Sequence, residues 1–254
     1  MNGGLLVVAA APPPWLSDRD PRLRLLVALA TALVAVNLQG LPALLALLGT
    51  VLGFALVAGL SPRALIKRLL LLEGFVLVLL LFLPFSVPGS VWWQLGPLTA
   101  SREGVRLAAA IFLRANAVVA TLLVLVGTLD AVTLGHALSR LRLPDKLVHL
   151  LLFTVRYLEV LHGEYRRLRQ AMRSRGFVAR SDRHTWRSLG WLMGMLLVRS
   201  LERSRRILEA MRCRGFRGRL YLLDGHPWQP GDSLFAVVCG LILISFLVFD
   251  RGGW

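Results

Sequence analysis

Uncharged apolar stretches alternate along the chain with one arginine-rich stretch whose apolar residues recur at helical spacing. Leu25 through Pro62 contains no charged residue over 38 positions. One membrane crossing needs about 20 apolar residues. The stretch therefore predicts two helices, over 22–39 and 41–60, with a tight turn at Asn37-Leu38-Gln39-Gly40-Leu41-Pro42. Asp20-Pro21 reads as an N-cap and first helical residue, and Ser61-Pro62 repeats that signal before a third helix over 64–83. A fourth helix is expected over 103–129, and a last span lies within 232–254. There Ser233 to Phe249 is uncharged and Asp232 stands ready as a cap. Residues 84–101, rich in Pro and Gly with Trp92 and Trp93, read as a loop with an aromatic interface anchor.

Residues 130–231 follow another pattern. Leu147, Leu150, Leu151, Thr154, Leu158, Leu161, Tyr165, Leu168 and Met172 recur mostly at steps of three and four behind Pro144. They predict a helix over about 144–175. Leu189, Leu192, Leu196, Leu197, Leu201, Leu208 and Met211 predict a second over about 184–214. Each would be about 45 Å long at 1.5 Å per residue. The expected fold class is an all-α integral membrane protein, with about five transmembrane helices and a cytoplasmic domain of long amphipathic coupling helices.

Charge orients this arrangement. The chain is 56% hydrophobic, yet carries 30 Lys plus Arg against 14 Asp plus Glu. Residues 131–230 hold 20 of the basic residues and seven acidic ones. Basic loops stay on the cytoplasmic side. Segment 1–20, the turn at Arg63, Lys67 and Arg68, and the segment 130–231 are then inside, and the uncharged 84–101 loop is outside. The localisation expected is a bacterial inner membrane, multi-pass, with a cytoplasmic N-terminus. Met1 to Gly4 lacks the positive start of a cleaved signal peptide.

The chemistry-bearing signal is a repeat. Ala171-Met172-Arg173-Ser174-Arg175-Gly176-Phe177 and Ala210-Met211-Arg212-Cys213-Arg214-Gly215-Phe216 agree at six of seven positions, 39 residues apart. Helix-stop chemistry explains Gly176 and Gly215 as left-handed residues and Phe177 and Phe216 as their apolar contacts. It does not require Arg175 and Arg214. Their planar donor forks suit carboxylates and carbonyls on a partner. Two matched tips call for two matched receptors.

These motifs, with the run from Gly194 through Ser204 before the second copy, resemble the T component of energy-coupling factor transporters, closest to its cobalt-type (CbiQ-like) branch. The resemblance covers about residues 140–220. It implies that Arg175 and Arg214, with Ser174, Gly176, Cys213 and Gly215, dock on two cytoplasmic ABC ATPase subunits. Ala171, Met172, Phe177, Ala210, Met211 and Phe216 would support the helix ends. It also implies a separate substrate-binding membrane subunit, with cobalt(II) as cargo; nickel or a vitamin is the alternative. The chain has no GxxxxGK[ST] loop, so ATP and Mg are expected on the partner ATPase and no cofactor on this chain.

Other signals weigh less. Glu73 and Arg114 lie within predicted spans and suit an intramembrane pair, with snorkelling or contact with another subunit as the alternative. His136, His149, His162, His184 and His226 show no ligand spacing, and Cys213 and Cys239 form no CxxC pair, so no metal site is expected. The basic surface lacks interleaved aromatics, which argues against nucleic acid and for anionic lipid. A membrane-bound transferase would want clustered acids, and only isolated Asp130 and Asp145 are found.

Overall fold

The computed structural model describes residues 16, 19–59, 62–88, 90–95, 98–218 and 229–252. Residues 1–15, Ser61 and His226 lie outside these, as do the side chains of Glu73, Trp92 and Trp93. The chain divides into one unit of Met1–Asp130 with His226–Trp254 and a second of Ala131–Gly225.

The first unit holds α1 (Pro21–Asn37), α2 (Leu41–Val57), α3 (Pro62–Ser86), a hairpin of β1 (Val91–Leu95) and β2 (Leu98–Ser101), and α4 (Arg102–Leu125). The later helix Pro230–Gly252 also belongs to it. Asp20 caps α1 by accepting the Arg22 N–H at 2.9 Å, and Pro21 fills the first position. Ser101 caps α4 through the Gly104 N–H at 3.1 Å. Segment 84–101 is not a plain loop. α3 continues through Pro84, and an antiparallel hairpin follows, with a register shift between Val91 and Trp93. An ideal Cβ on Gly104 would sit 2.8 Å from the Pro84 backbone, so only glycine allows α3 and α4 to approach this closely.

Two apolar clusters set the helix directions. Ala28 packs with Ala55, Ala58, Val124 and Leu125, whereas Val34, Ala35 and Leu38 pack with Ala43, Leu44, Leu47, Ala117 and Leu243. α2 and α4 are thus both antiparallel to α1. The outer surface is apolar too: Leu29, Leu33, Leu81, Leu241 and Val248 are each more than half exposed. Among the described residues, Arg102–Leu125 and Pro230–Gly252 are long and apolar enough to cross a membrane.

The second unit holds α5 (Ala131–Arg140), α6 (Asp145–Ser174) and α7 (Arg183–Cys213). The last helix of the chain, Pro230–Gly252, is α8. α5 is absent from the sequence reading. It packs on α6 where Gly135 meets the Leu152 side chain. The leucine stripes are also less covered than their periodicity suggests. Leu147, Leu150, Leu197 and Leu201 are exposed, while Val148, Glu164, Thr185 and Leu192 are the buried positions of the two long helices.

Candidate functional site: two capped helix tips and a buried carboxylate

The repeated heptads close their helices with the same set of hydrogen bonds. At the end of α6 the Phe177 N–H donates to the Met172 carbonyl at 3.1 Å and the Gly176 N–H to that of Arg173 at 3.0 Å. At the end of α7 the Phe216 N–H donates to Met211 at 3.0 Å and the Gly215 N–H to Arg212 at 3.0 Å. This is the double-bonded cap that needs a left-handed residue after the helix. Gly176 and Gly215 supply it, at φ +80° and +81°. Met172 and Phe177 line one groove and Met211 and Phe216 another, which is the apolar contact such caps carry.

Burial matches residue for residue. Met172, Phe177, Met211 and Phe216 are half-buried, and Ala171, Ser174, Arg175, Gly176, Ala210, Cys213, Arg214 and Gly215 are exposed. The cap therefore accounts for Met, Gly and Phe in each copy. Arg175 and Arg214 occupy the C-cap position itself, with their side chains in solvent.

Sequence reasoning missed the group that joins the two arms. Glu164 is buried in α6. It accepts from Arg199 Nη1 at 2.9 Å and Arg203 Nη2 at 3.2 Å, both on α7, and from Arg167 Nη1 at 3.4 Å on its own helix. Charge-assisted bonds of this kind are about twice as strong as neutral ones. Glu164 and Arg203 are 39 residues apart, the same spacing that relates the tips. Equivalent positions meet at the crossing, which puts it on a local two-fold axis exchanging α6 with α7. Arg175 lies eleven residues beyond Glu164 and Arg214 eleven beyond Arg203, about 16 Å along each arm. A groove of about 380 Å³ opens on one side of the crossing, between the Leu150–Leu161 face of α6 and the Ile207–Phe216 end of α7. A groove of about 610 Å³ opens on the other, between 168–177 and 184–199.

In the first unit Arg114, Asp250 and Asp232 bind backbone groups at helix ends. Arg114 donates from Nε to the Ala35 carbonyl at 2.9 Å and from Nη2 to that of Leu38 at 2.8 Å. It thus satisfies carbonyls left open at the end of α1. Asp250 accepts the Gln39 and Gly40 N–H groups at 3.0 and 2.8 Å, satisfying the backbone donors that lead into α2. Asp232 is not the residue before its helix but the third residue within it. Its carboxylate reaches back to the Gln229 N–H at 3.1 Å, accepts the Asp20 N–H at 3.4 Å and lies 3.7 Å from Arg19. α8 is therefore tied to the start of α1 at one end and to its finish at the other, and the two run parallel. Among the described residues no three His, Cys, Asp or Glu side chains come together.

The family model of the cobalt transport protein CbiQ matches residues 13–222, which takes in both tips and the Glu164 crossing. The chain belongs to the CbiQ cobalt transport protein family. Among its relatives, the cobalt transport protein CbiQ of Rhodobacter capsulatus is 31% identical over 153 residues, 59% of this chain and 60% of that one. An uncharacterised protein of Methanocaldococcus jannaschii is 27% identical over 155 residues, 59% and 58% of the two chains. These two matches span about three fifths of each relative's length. The energy-coupling factor transporter transmembrane protein EcfT of Exiguobacterium sibiricum is 28% identical over 223 residues, 79% and 81% of the two chains. CbiQ proteins are membrane components of cobalt transport, and the resemblance on the repeated heptads led to the same family.

Proposed function

We propose that this chain is the non-catalytic coupling subunit of an ATP-driven importer. One observation carries the reading: two helix tips with identical caps, each presenting an exposed arginine at the C-cap, set equally far from a common crossing. Such a fork suits two similar receptors related by a two-fold axis. Two cytoplasmic ABC ATPase subunits meet that description, with Arg175 and Arg214 each entering one. ATP and Mg belong to those partners, and a separate membrane subunit binds the substrate.

The first unit is then the membrane anchor. α1, α2, α3, α4 and α8 are its five spans. The antiparallel order of α1, α2 and α4 and the parallel course of α1 and α8 agree with alternating crossings that start from a cytoplasmic N-terminus. Closure of the ATPase pair on ATP displaces the tips. The rigid arms carry that displacement to the membrane helices and the substrate subunit. Cobalt(II) is the cargo we assign, from the family's description and the R. capsulatus relative.

Co-expression of the tagged chain with its ATPase and substrate subunits tests this reading. Arg175→Ala with Arg214→Ala should abolish ATPase co-purification and cobalt uptake by vesicles, while the chain still inserts in the membrane. Retention of both activities by the double variant would refute the docking role. Uptake of labelled nickel in preference to cobalt would overturn the cargo assignment alone.

A further inference from the structure

Four charged groups meet where α6 crosses α7: one buried carboxylate, Glu164, and the guanidinium groups of Arg167, Arg199 and Arg203. The cluster keeps a surplus of two positive charges. Remove the carboxylate and three like charges face each other across the crossing, two on one arm and one on the other. The rest of the contact between the arms is partly open, with a groove on either side lined by apolar side chains together with Ser200 and Ser204 on one side and His184 and Ser188 on the other. Apolar contact resists separation but does little to set an angle. Hydrogen bonds from three directions onto one carboxylate do set an angle.

We propose that Glu164 is a positioning residue, the pivot that holds α6 and α7 at one crossing angle and makes the two tips move as a single lever. The coupling part of this statement rests on the docking function above; the geometric part does not. The local two-fold axis supplies a specific rescue. Position 203 is the counterpart of 164, and Arg206 is the counterpart of Arg167. A glutamate at 203 would therefore find Arg206 three residues on in its own helix and an arginine at 164 across the crossing. Arg199 would lie one turn back.

The test measures the distance between the tips. Spin labels on Cys213 and on Ser174→Cys, in the full chain with Cys239→Ala in nanodiscs, are read by double electron–electron resonance. The unaltered crossing should give one narrow distance distribution. Glu164→Ala and Glu164→Arg should broaden it, and Glu164→Gln, which keeps the shape, should broaden it as well. Glu164→Arg with Arg203→Glu should restore the narrow distribution, which also shows that the chain folds. In the assembled transporter Glu164→Ala should retain the ATPase yet raise the ATP consumed per imported ion by roughly tenfold, and the charge swap should bring that ratio back. A Glu164→Ala distribution as narrow as the parent's would overturn the proposal, and so would a charge swap as broad as Glu164→Arg alone. Failure of the docking function would look different: Arg175→Ala with Arg214→Ala would leave ATPase binding intact, and the tip distances would still respond to Glu164.

Discussion

Beside Arg175 the groove is lined by His184, Trp191, Met195 and Arg199; beside Phe216 its counterpart is lined by Phe153, Tyr157, Val160 and Arg203. The caps between them are nearly superimposable in bonding and burial. Identity is densest in the last turn and the residues that close it, and the groove-lining flanks have diverged. Backbone chemistry enforces the Gly and the Phe. It does not require an exposed Arg at both C-caps, which the proposed docking role would explain. Whatever distinguishes one arm from the other must be read from the flanks.

Perturbations of matched positions sharpen this comparison. The largest effect is expected from Arg175→Ala and Arg214→Ala taken singly. Loss of a charge-assisted bond costs about 1.5–3 kcal/mol, so each should weaken ATPase binding by about tenfold to a hundredfold, measured by titration of the ATPase onto the chain in nanodiscs. Equal losses mean equivalent tips; a tenfold gap between them would locate the difference at the tips themselves. Glu164→Ala comes next. It strips a buried carboxylate from three partly exposed arginines and should lower stability by about 2 kcal/mol, between the surface and buried limits for ion pairs, as seen in denaturant unfolding of the full chain.

Gly176→Ala and Gly215→Ala follow. No atom lies within 4 Å of an ideal Cβ at either position, so the cost is purely conformational. It should be about 1 kcal/mol at each tip, the usual penalty for a left-handed residue with a Cβ. Unequal shifts in thermal midpoint would break the match between the caps. The smallest effect is expected at the one position where the heptads differ. Ser174→Cys and Cys213→Ser are both exposed and should change stability by less than about 0.5 kcal/mol.

Local signals were the legible ones. Gly-Phe after a basic last turn marks the ends of α6 and α7, and Asp20-Pro21 marks the start of α1, because each acts on backbone within a few residues. Expected ends at 175 and 214 compare with observed ends at Ser174 and Cys213. α5 escapes the sequence reading because it is only ten residues long: its residues do segregate into an apolar and a polar face, but over too short a stretch to compete with the two long stripes that follow, and its apolar face forms only against Leu152. The hairpin at 91–101 was hidden by the prolines and glycines around it.

Glu164, Asp250 and the partners of Arg114 share a different reason. Each is satisfied by a group 35 or more residues away, so no spacing rule finds them. For Glu164 a trace did exist. The repeat extends upstream of the heptads, with Arg166 and Arg167 matching Arg205 and Arg206. Position 164 opens that extension with an acid where its counterpart carries Arg203. Opposite charges at equivalent positions of a two-fold repeat are what a crossing on the axis would use.

The pinned ends of α8 bear on how the chain is assembled. Thr128, just past α4, accepts from Arg24, and Asp232, in the first turn of α8, meets Arg19 and Asp20. The chain therefore leaves the first unit and returns to it at the same end of α1. Topologically the stretch from Ala131 to Gly225 is a guest inserted into a host whose described residues include α1 to α4 and α8. The host is complete only after the guest has been synthesised, because α8 supplies the carboxylate at the α1–α2 turn. During synthesis Gln39 and Gly40 wait for Asp250, and residues 131–225 are made before the first unit has closed.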